Sequence, residues 1–295
     1  LETFFQQRVS AAEAFAALIP HSKQVYNRET IGACGDKYDL FIAGSDQIWN
    51  PDLLQPAFLL DFVPKDKKKI AYGASISQFS LKRDAQAALK KGLSSFDGIS
   101  VREKQAQNLL GGLTNQKIEL VLDPTLLLPK EEWEKLCEKP AVKGPYMLCY
   151  FLGTDRRLRN LARETAKRLG LPIVTLPFLQ NCYCSCDVNF GDIRLYNAGP
   201  EGFLSLIRYA DCMLTDSFHG AVFAELFGAR YLVFGRKGEK GMGSRLESLT
   251  QLFHSERRYI PEPGKMTAKE AALCLNERSA GRSGDGLEKM RQQSI

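Results

Sequence analysis

Apolar runs with strand character alternate with stretches of helical spacing along most of this 295-residue chain, and the runs end in polar residues. That rhythm predicts an α/β architecture with mostly parallel sheets, because parallel neighbours need a crossover segment between them. In the first half, "YDLFIAG" (38–44), "KIAYGAS" (69–75), "GISVRE" (98–103) and "IELVLDP" (118–124) read as buried strands, separated by the helical patterns "KRDAQAALKKGLSSF" and "REKQAQNLLGGL". Pro140, Gly144 and Pro145 then interrupt the pattern as a linker. The rhythm restarts with strands at 146–153, 172–177, 211–215 and 230–235 and helices at 155–170, 200–210, 216–228 and 243–253. The expected division is an N-terminal α/β domain over 1–140, a C-terminal α/β domain over 145–275, and a tail over 276–295, rich in Ser, Gly and Arg, expected to be frayed or disordered. The length suits two cores, since single cores stop growing near about 250–300 residues.

The net charge of +6, from 40 basic and 34 acidic residues, is too small and too dispersed for a nucleic-acid footprint and suits an anionic substrate. The run "KDKKK" (65–69) reads as a solvated turn into a strand, with attraction to a membrane surface as the alternative. No apolar run approaches the roughly 18 residues that span a bilayer, and the secretory pattern of a basic then apolar N-terminus is missing, so a cytoplasmic location is expected. There a chain with eight cysteines would hold them reduced. Cys182, Cys184 and Cys186 alternate in "NCYCSCD", where an irregular or edge-strand loop is favoured over a metal or redox role, because zinc sites prefer C-x-x-C pairs.

Ligands of α/β domains bind where strands end, so the polar residues there are the candidate site. In "GSDQIWN", Gly44 suits a turn with positive φ. Ser45, Asp46, Gln47 and Asn50 offer hydrogen bonds to sugar hydroxyls, and Trp49 offers a stacking face. The competing reading makes Trp49 core and Asp46 a helix cap. Ser75, Ser77 and Asp123 end other strands, and Arg102 in "SVRE" presents a planar fork for a carboxylate or phosphate unless it merely pairs with Glu103.

The stretch "TDSFHG" places Asp216 or Ser217 as N-cap of a helix whose first amides favour an anion. His219, one of three histidines, falls in its first turn on the face of Val222, Phe223 and Leu226, a position for an acid or base, with a satisfied core histidine as the alternative. "GMGSRLESL" brings Arg245 into the first turn of another helix after a glycine-rich approach that matches neither a P-loop nor a dinucleotide fingerprint.

Together "DLFIAGSDQIWNP", "KIAYGASI", "ISVREKQ", "LVLDPTLLL" and "LTDSFHGAVFAELFG", in this order, resemble the polysaccharide pyruvyl transferase family over about residues 38–253. The resemblance implies two Rossmann-like domains facing across a cleft, as in GT-B glycosyltransferases. It also implies transfer of a pyruvyl group from phosphoenolpyruvate to a glycan or lipid-linked glycan, closing a ketal on two hydroxyls, without metal or nucleotide. In this reading His219 is the general acid or base, and Arg102 and Arg245 hold the donor's carboxylate and phosphate with the helix start at Ser217. Asp46, Gln47 and Trp49 contact donor or sugar. Ser217 stands where other branches of the family carry an arginine two residues before the histidine, and the family's opening strand and Gly-Ala-rich turn are not recognisable. The alternatives are a glycosyltransferase of the same fold using a nucleotide sugar, and a non-catalytic glycan-binding relative.

Overall fold

The computed structural model describes residues 2–138, 141–180, 182–236, 243–277 and 285–294. It divides into two compact units that are not contiguous in sequence. The first comprises Ser22–Leu127, Lys240–Ser248 and Ser283–Ile295; the second comprises Leu1–His21, Leu128–Glu239 and Leu249–Arg282. The division falls at Leu127 where the sequence suggests about 140; Leu1–His21, expected in the N-terminal domain, belongs to the second unit, and Ser283–Ile295, expected as a separate tail, belongs to the first.

The chain opens with helix α1 (Glu2–Ala16), which belongs to the second unit. The first unit is built on a four-stranded sheet of β1 (Leu40–Ala43), β2 (Lys68–Ala74), β3 (Gly98–Val101) and β4 (Ile118–Leu120), in that spatial order and parallel throughout. Between β2 and β3 runs α2 (Arg83–Leu93), and between β3 and β4 runs α3 (Lys104–Gly111). Leu89 and Leu93 of α2 and Ala106 and Leu110 of α3, spaced by four, enter a core with Phe41, Ala71, Ile99 and Val101. Trp49 lies in this core, fully buried, and its indole donates to the Phe58 carbonyl at 3.1 Å.

In the second unit, α4 (Lys130–Glu134) precedes β5 (Met147–Tyr150), α5 (Arg156–Leu169) and β6 (Ile173–Thr175). A small antiparallel pair follows, β7 (Leu179–Gln180) and β8 (Cys182–Tyr183), then β9 (Ile193–Arg194), α6 (Pro200–Arg208), β10 (Cys212–Thr215), α7 (Phe218–Phe227) and β11 (Arg230–Phe234). Then come α8 (Gly243–Leu252), inside which the unit boundary falls, β12 (Tyr259–Ile260) and α9 (Ala268–Asn276). The sheet order is β12-β11-β10-β5-β6-β9, with all pairs parallel. Its central strands are buried along their length, which is why "MLCY", "CMLT" and "YLVF" are apolar without alternation.

Caps set the helix ends. Asp155 accepts from Arg157 N at the start of α5, and Gly170 ends it with φ 68°; Ser217 starts α7, and Gly228 ends it with φ 69°. Helix α1 is held to this unit by Arg8, which donates to the Pro177 and Leu195 carbonyls at 2.7 and 3.1 Å. Its Ala11 approaches so closely that a Cβ at Gly199 would lie 2.8 Å from the Ala11 Cβ.

Where the tail is expected to be frayed or disordered, residues 285–294 form helix α10 (Asp285–Ser294) in the first unit, and residues 278–284 and 295 lie outside the described residues. Ser294 Oγ accepts from Leu122 N at 3.0 Å, and Arg291 donates to the Leu126 carbonyl at 2.8 Å. The cysteine stretch also departs from expectation, since Cys184 and Cys186 form a disulfide; the side chain of Cys182 lies outside the described residues. Among the described residues no helix is long and apolar enough to cross a membrane.

Candidate active site

In the second unit the chain runs from β5 outward to β6 on one side and later places β10 on the other side of β5. The two flanking connections diverge there, leaving a crevice at the carboxyl ends of β5 and β10, the position where open parallel sheets bind ligands. Among the described strands of the first unit the order is sequential and has no such reversal.

The end of β10 is fixed by short polar contacts. Thr215 Oγ1 donates to the Tyr150 carbonyl at 2.7 Å and accepts from Ser217 N at 3.0 Å, while Ser217 Oγ caps α7 by accepting from Gly220 N at 3.2 Å. Asp216, buried, turns across the crevice: its carboxylate accepts from Leu152 N at 2.7 Å and Gly153 N at 2.9 Å. Arg236, just after β11, donates to the Asp216 carbonyl at 3.2 Å and sets its Nε 3.8 Å from the carboxylate.

Burial raises the Asp216 pKa above the ordinary carboxylate value, against the opposing pull of Arg236 and the two amides. A carboxyl raised in the folded state contributes its full stability where it is protonated in both states, and that contribution is lost as pH rises through the folded pKa. Wild type should therefore lose stability relative to Asp216→Asn as pH rises from about 4, levelling off once Asp216 is ionised. Urea midpoints of the two proteins across that range check this, and a constant difference would contradict it.

Around these groups lies a cavity of about 440 Å³ lined by residues 152–158, Asp216, Gly235 and Arg236. Its floor is the N-terminus of the 14-residue α5, whose first amides and dipole favour an anion. Arg156, Arg157 and Arg236 supply positive charge against Asp155 and Asp216; Arg157 is engaged with Asp155 at 2.8 Å. Only glycine fits at 153, since a Cβ there would stand 2.9 Å from Asp216 Oδ2 and 3.3 Å from Arg236 Cδ. Gly153→Ala should push one of the two aside and cost about 1–3 kcal/mol in chemical denaturation. Unchanged stability would show that the approach is not tight.

His219 is the second residue of α7, half-buried, with its ring edge-to-face on Phe218 at 5.3 Å. Val222, Phe223 and Leu226 are buried beneath that face of the helix as the spacing predicts. His219 is at the same carboxyl end of the sheet as the cavity but is not one of its lining residues. Tyr150 ends β5 close by, its hydroxyl pKa raised by burial with Arg8 opposing.

The other predicted residues gather in the first unit. Arg102 is not an open fork: its side chain is 1% exposed and bonds Asp123 at 2.5 Å, Asp46 at 2.9 Å and Ser45 Oγ at 3.2 Å. Arg245, 3% exposed, sets Nη1 3.7 Å from the same Asp46 oxygen. Both arginines are thus matched by protein carboxylates where the sequence reading gave them to the donor.

The left-handed residue of the "GSDQIWN" turn is Asp46, with φ 66°, and not Gly44. That geometry swings the Asp46 carboxylate between the two guanidiniums while its backbone carbonyl accepts from Ser75 N at 2.9 Å. Trp49 has no exposed face to stack on a ligand, being sealed in the core, and Asn50 is buried, bonding Gln47 and Asp52 N. Gly44 and Asp46 are exposed, and Ser45 and Gln47 half-buried. Nor does Glu103 pair with Arg102; it accepts from Ser75 Oγ, Ile76 N and Ser77 N at 2.8–2.9 Å and shapes that loop.

Sequence reasoning missed Gly153, Arg156, Arg157 and Arg236. The signal available was "GTDRR" between an apolar strand and a helix, a glycine and an aspartate cap followed by two first-turn arginines.

The sequence profile of the family described as polysaccharide pyruvyl transferase matches residues 4–238. No curated protein sequence matches the chain. Among solved structures, UDP-GlcNAc 2-epimerase from Methanocaldococcus jannaschii superposes with a TM-score of 0.60 at 12% identity, covering 96% of this chain and 89% of that one. UDP-GlcNAc 2-epimerase from Neisseria meningitidis bound to UDP-GlcNAc gives 0.50 at 12% identity, covering 92% and 88%. At that identity the likeness establishes the fold, the GT-B-type α/β class with parallel sheets.

Proposed function

Because the chain belongs to the polysaccharide pyruvyl transferase family, it is a transferase, and we propose that it moves a pyruvyl group from phosphoenolpyruvate to hydroxyls of a polysaccharide or its precursor. The observation that carries this reading is the cavity at the strand-order reversal, where the α5 N-terminus, Arg156 and Arg236 surround a volume of about 440 Å³ suited to a small molecule with two anionic groups. Phosphoenolpyruvate presents a phosphate and a carboxylate, and these cations replace Arg102 and Arg245 as their partners.

In the reaction a proton is added to the methylene carbon, a hydroxyl of the acceptor adds to the neighbouring carbon, phosphate leaves and a second hydroxyl closes the ketal. Two hydroxyl protons are released in all; one is retained in the new methyl group and the other leaves with phosphate. His219 is the group we assign to this proton traffic, since an imidazole changes charge near neutral pH.

Calorimetric titration with phosphoenolpyruvate, inorganic phosphate and UDP-sugars tests the reading. Tight binding of phosphoenolpyruvate that is weakened about tenfold or more in Arg236→Met supports it. Binding of UDP-sugars alone would favour a glycosyltransferase instead, and phosphoenolpyruvate affinity unaltered by Arg236→Met would remove the donor from this cavity.

A further inference from the structure

The disulfide between Cys184 and Cys186 spans a single residue. A disulfide stabilises a fold chiefly by restricting the unfolded chain, and that effect grows with the loop closed, so this one staples almost nothing. Both cysteines are half-buried and Ser185 between them is exposed, within reach of a reagent from solvent. Half-accessible disulfides with little structural role are the ones that act in redox chemistry.

What the turn holds is the wall of the cavity. Asp187 follows directly, buried at 2% exposure; its N–H donates to the Cys184 carbonyl at 2.9 Å, and its carboxylate accepts from Arg159 Nε at 3.0 Å. Arg159, also 2% exposed, lies with its guanidinium carbon 5.0 Å from the Phe151 ring centre and donates to the Asp155 carbonyl at 3.3 Å. Phe151 and Asp155 flank the loop that lines the cavity, and Asp155 caps α5. Three contacts therefore run from the Cys184 backbone carbonyl in the bridged turn to the anion-facing helix start, the central one a buried ion pair that is costly to disturb.

Donor atoms of Cys184, Cys186 and Asp187 lie within 4.8 Å of one another, as a metal would require. The Arg159 guanidinium already occupies that carboxylate, and a second cation beside it in a low dielectric is repelled. The cluster suits thiol chemistry better.

We propose that Cys184 and Cys186 are a redox-active dithiol–disulfide pair whose state sets the order of the cavity wall at the start of α5. An external dithiol reduces it: one thiolate attacks a cysteine sulfur, breaking the S–S bond and forming a mixed disulfide. The second thiolate then displaces the protein sulfur and closes the reductant's own disulfide. Two electrons and two protons pass to Cys184 and Cys186, leaving two thiols. The freed turn then releases Asp187 from its fixed place, and the Arg159 tie to Asp155 loosens.

The affinity part of the test rests on the donor reading given above; the exchange part does not. Native protein is alkylated with and without prior dithiothreitol, and the tryptic peptide 169–194 is weighed. Two additional labels after reduction are expected, and identical labelling in both samples overturns the proposal. Hydrogen exchange over residues 153–158 should be faster in the reduced protein, with no change in the Cys184→Ser/Cys186→Ser variant on adding dithiothreitol. Equal exchange in both redox states of wild type overturns the coupling. Phosphoenolpyruvate should bind about fivefold more weakly to the reduced protein. Absence of binding in both states would sink the donor reading while the exchange result still decides the redox one.

Discussion

His219→Ala is expected to lose turnover by about 10²–10⁴-fold, the range of a missing acid–base group, while unfolding at nearly the same temperature. The two halves of that expectation come from different features. Turnover falls because the imidazole stands in the first turn of α7, directly after the Thr215–Ser217 corner at the carboxyl end of β10, with its ring half-exposed. Stability holds because the capping bonds of α7 come from Ser217 and Thr215, not from His219, and the packing beneath it comes from Val222, Phe223 and Leu226. Phosphate release from phosphoenolpyruvate in the presence of acceptor, paired with a melting curve, reads both. Release at the wild-type rate would remove His219 from the chemistry; a melting temperature lowered by 10 °C or so would recast it as a packing residue.

For Arg102→Ala the expected signature is reversed, with a loss of about 3–5 kcal/mol in folding stability preceding any kinetic effect. The guanidinium is the counter-charge of Asp123, whose carboxylate is 3% exposed, and the variant would leave that carboxylate buried beside a void. Asp46 would suffer less, being 60% exposed and still facing Arg245. Arg102→Lys should recover only part of the loss, because one ammonium cannot reproduce a fork that reaches Asp123, Asp46 and Ser45 together. Denaturant titration of both variants gives the answer. If Arg102→Ala were as stable as wild type yet failed to bind phosphoenolpyruvate, the arginine would be a donor contact after all.

The strands were readable because buried parallel strands are apolar without interruption; "CMLT" and "YLVF" have no polar residue facing solvent to disguise them. The cap at Ser217 was readable too, since the residues that make it are adjacent in sequence. The fate of Trp49 was not, because a tryptophan after a strand has the same local signature whether it enters a core or meets a sugar, and only the position of Phe96 and Phe58 decides it. Arg102 posed the same problem, as its partners Asp46 and Asp123 come from other strand ends. The cavity escaped notice for a related reason: "GTDRR" marks a strand-to-helix turn, but that Gly153 and Arg236 meet through Asp216 is a contact assembled from three strand ends, which the local pattern does not show. Helix α10 is polar for most of its length and is fastened by hydrogen bonds to Leu122 and Leu126, which a search for apolar periodicity does not see.

The interleaving of the two units in sequence has a practical consequence for engineering. With junctions after His21, Leu127, Glu239, Ser248 and Arg282 the backbone changes unit five times, so no single cut yields two self-sufficient fragments. A gene divided at residue 127 would encode an N-terminal half lacking α10 and a C-terminal half lacking α1, each missing a helix carried by the other. Chimeras that graft one lobe from a relative therefore need to exchange three separate stretches together, and removal of residues 285–294 should first loosen the lobe built on Ser22–Leu127.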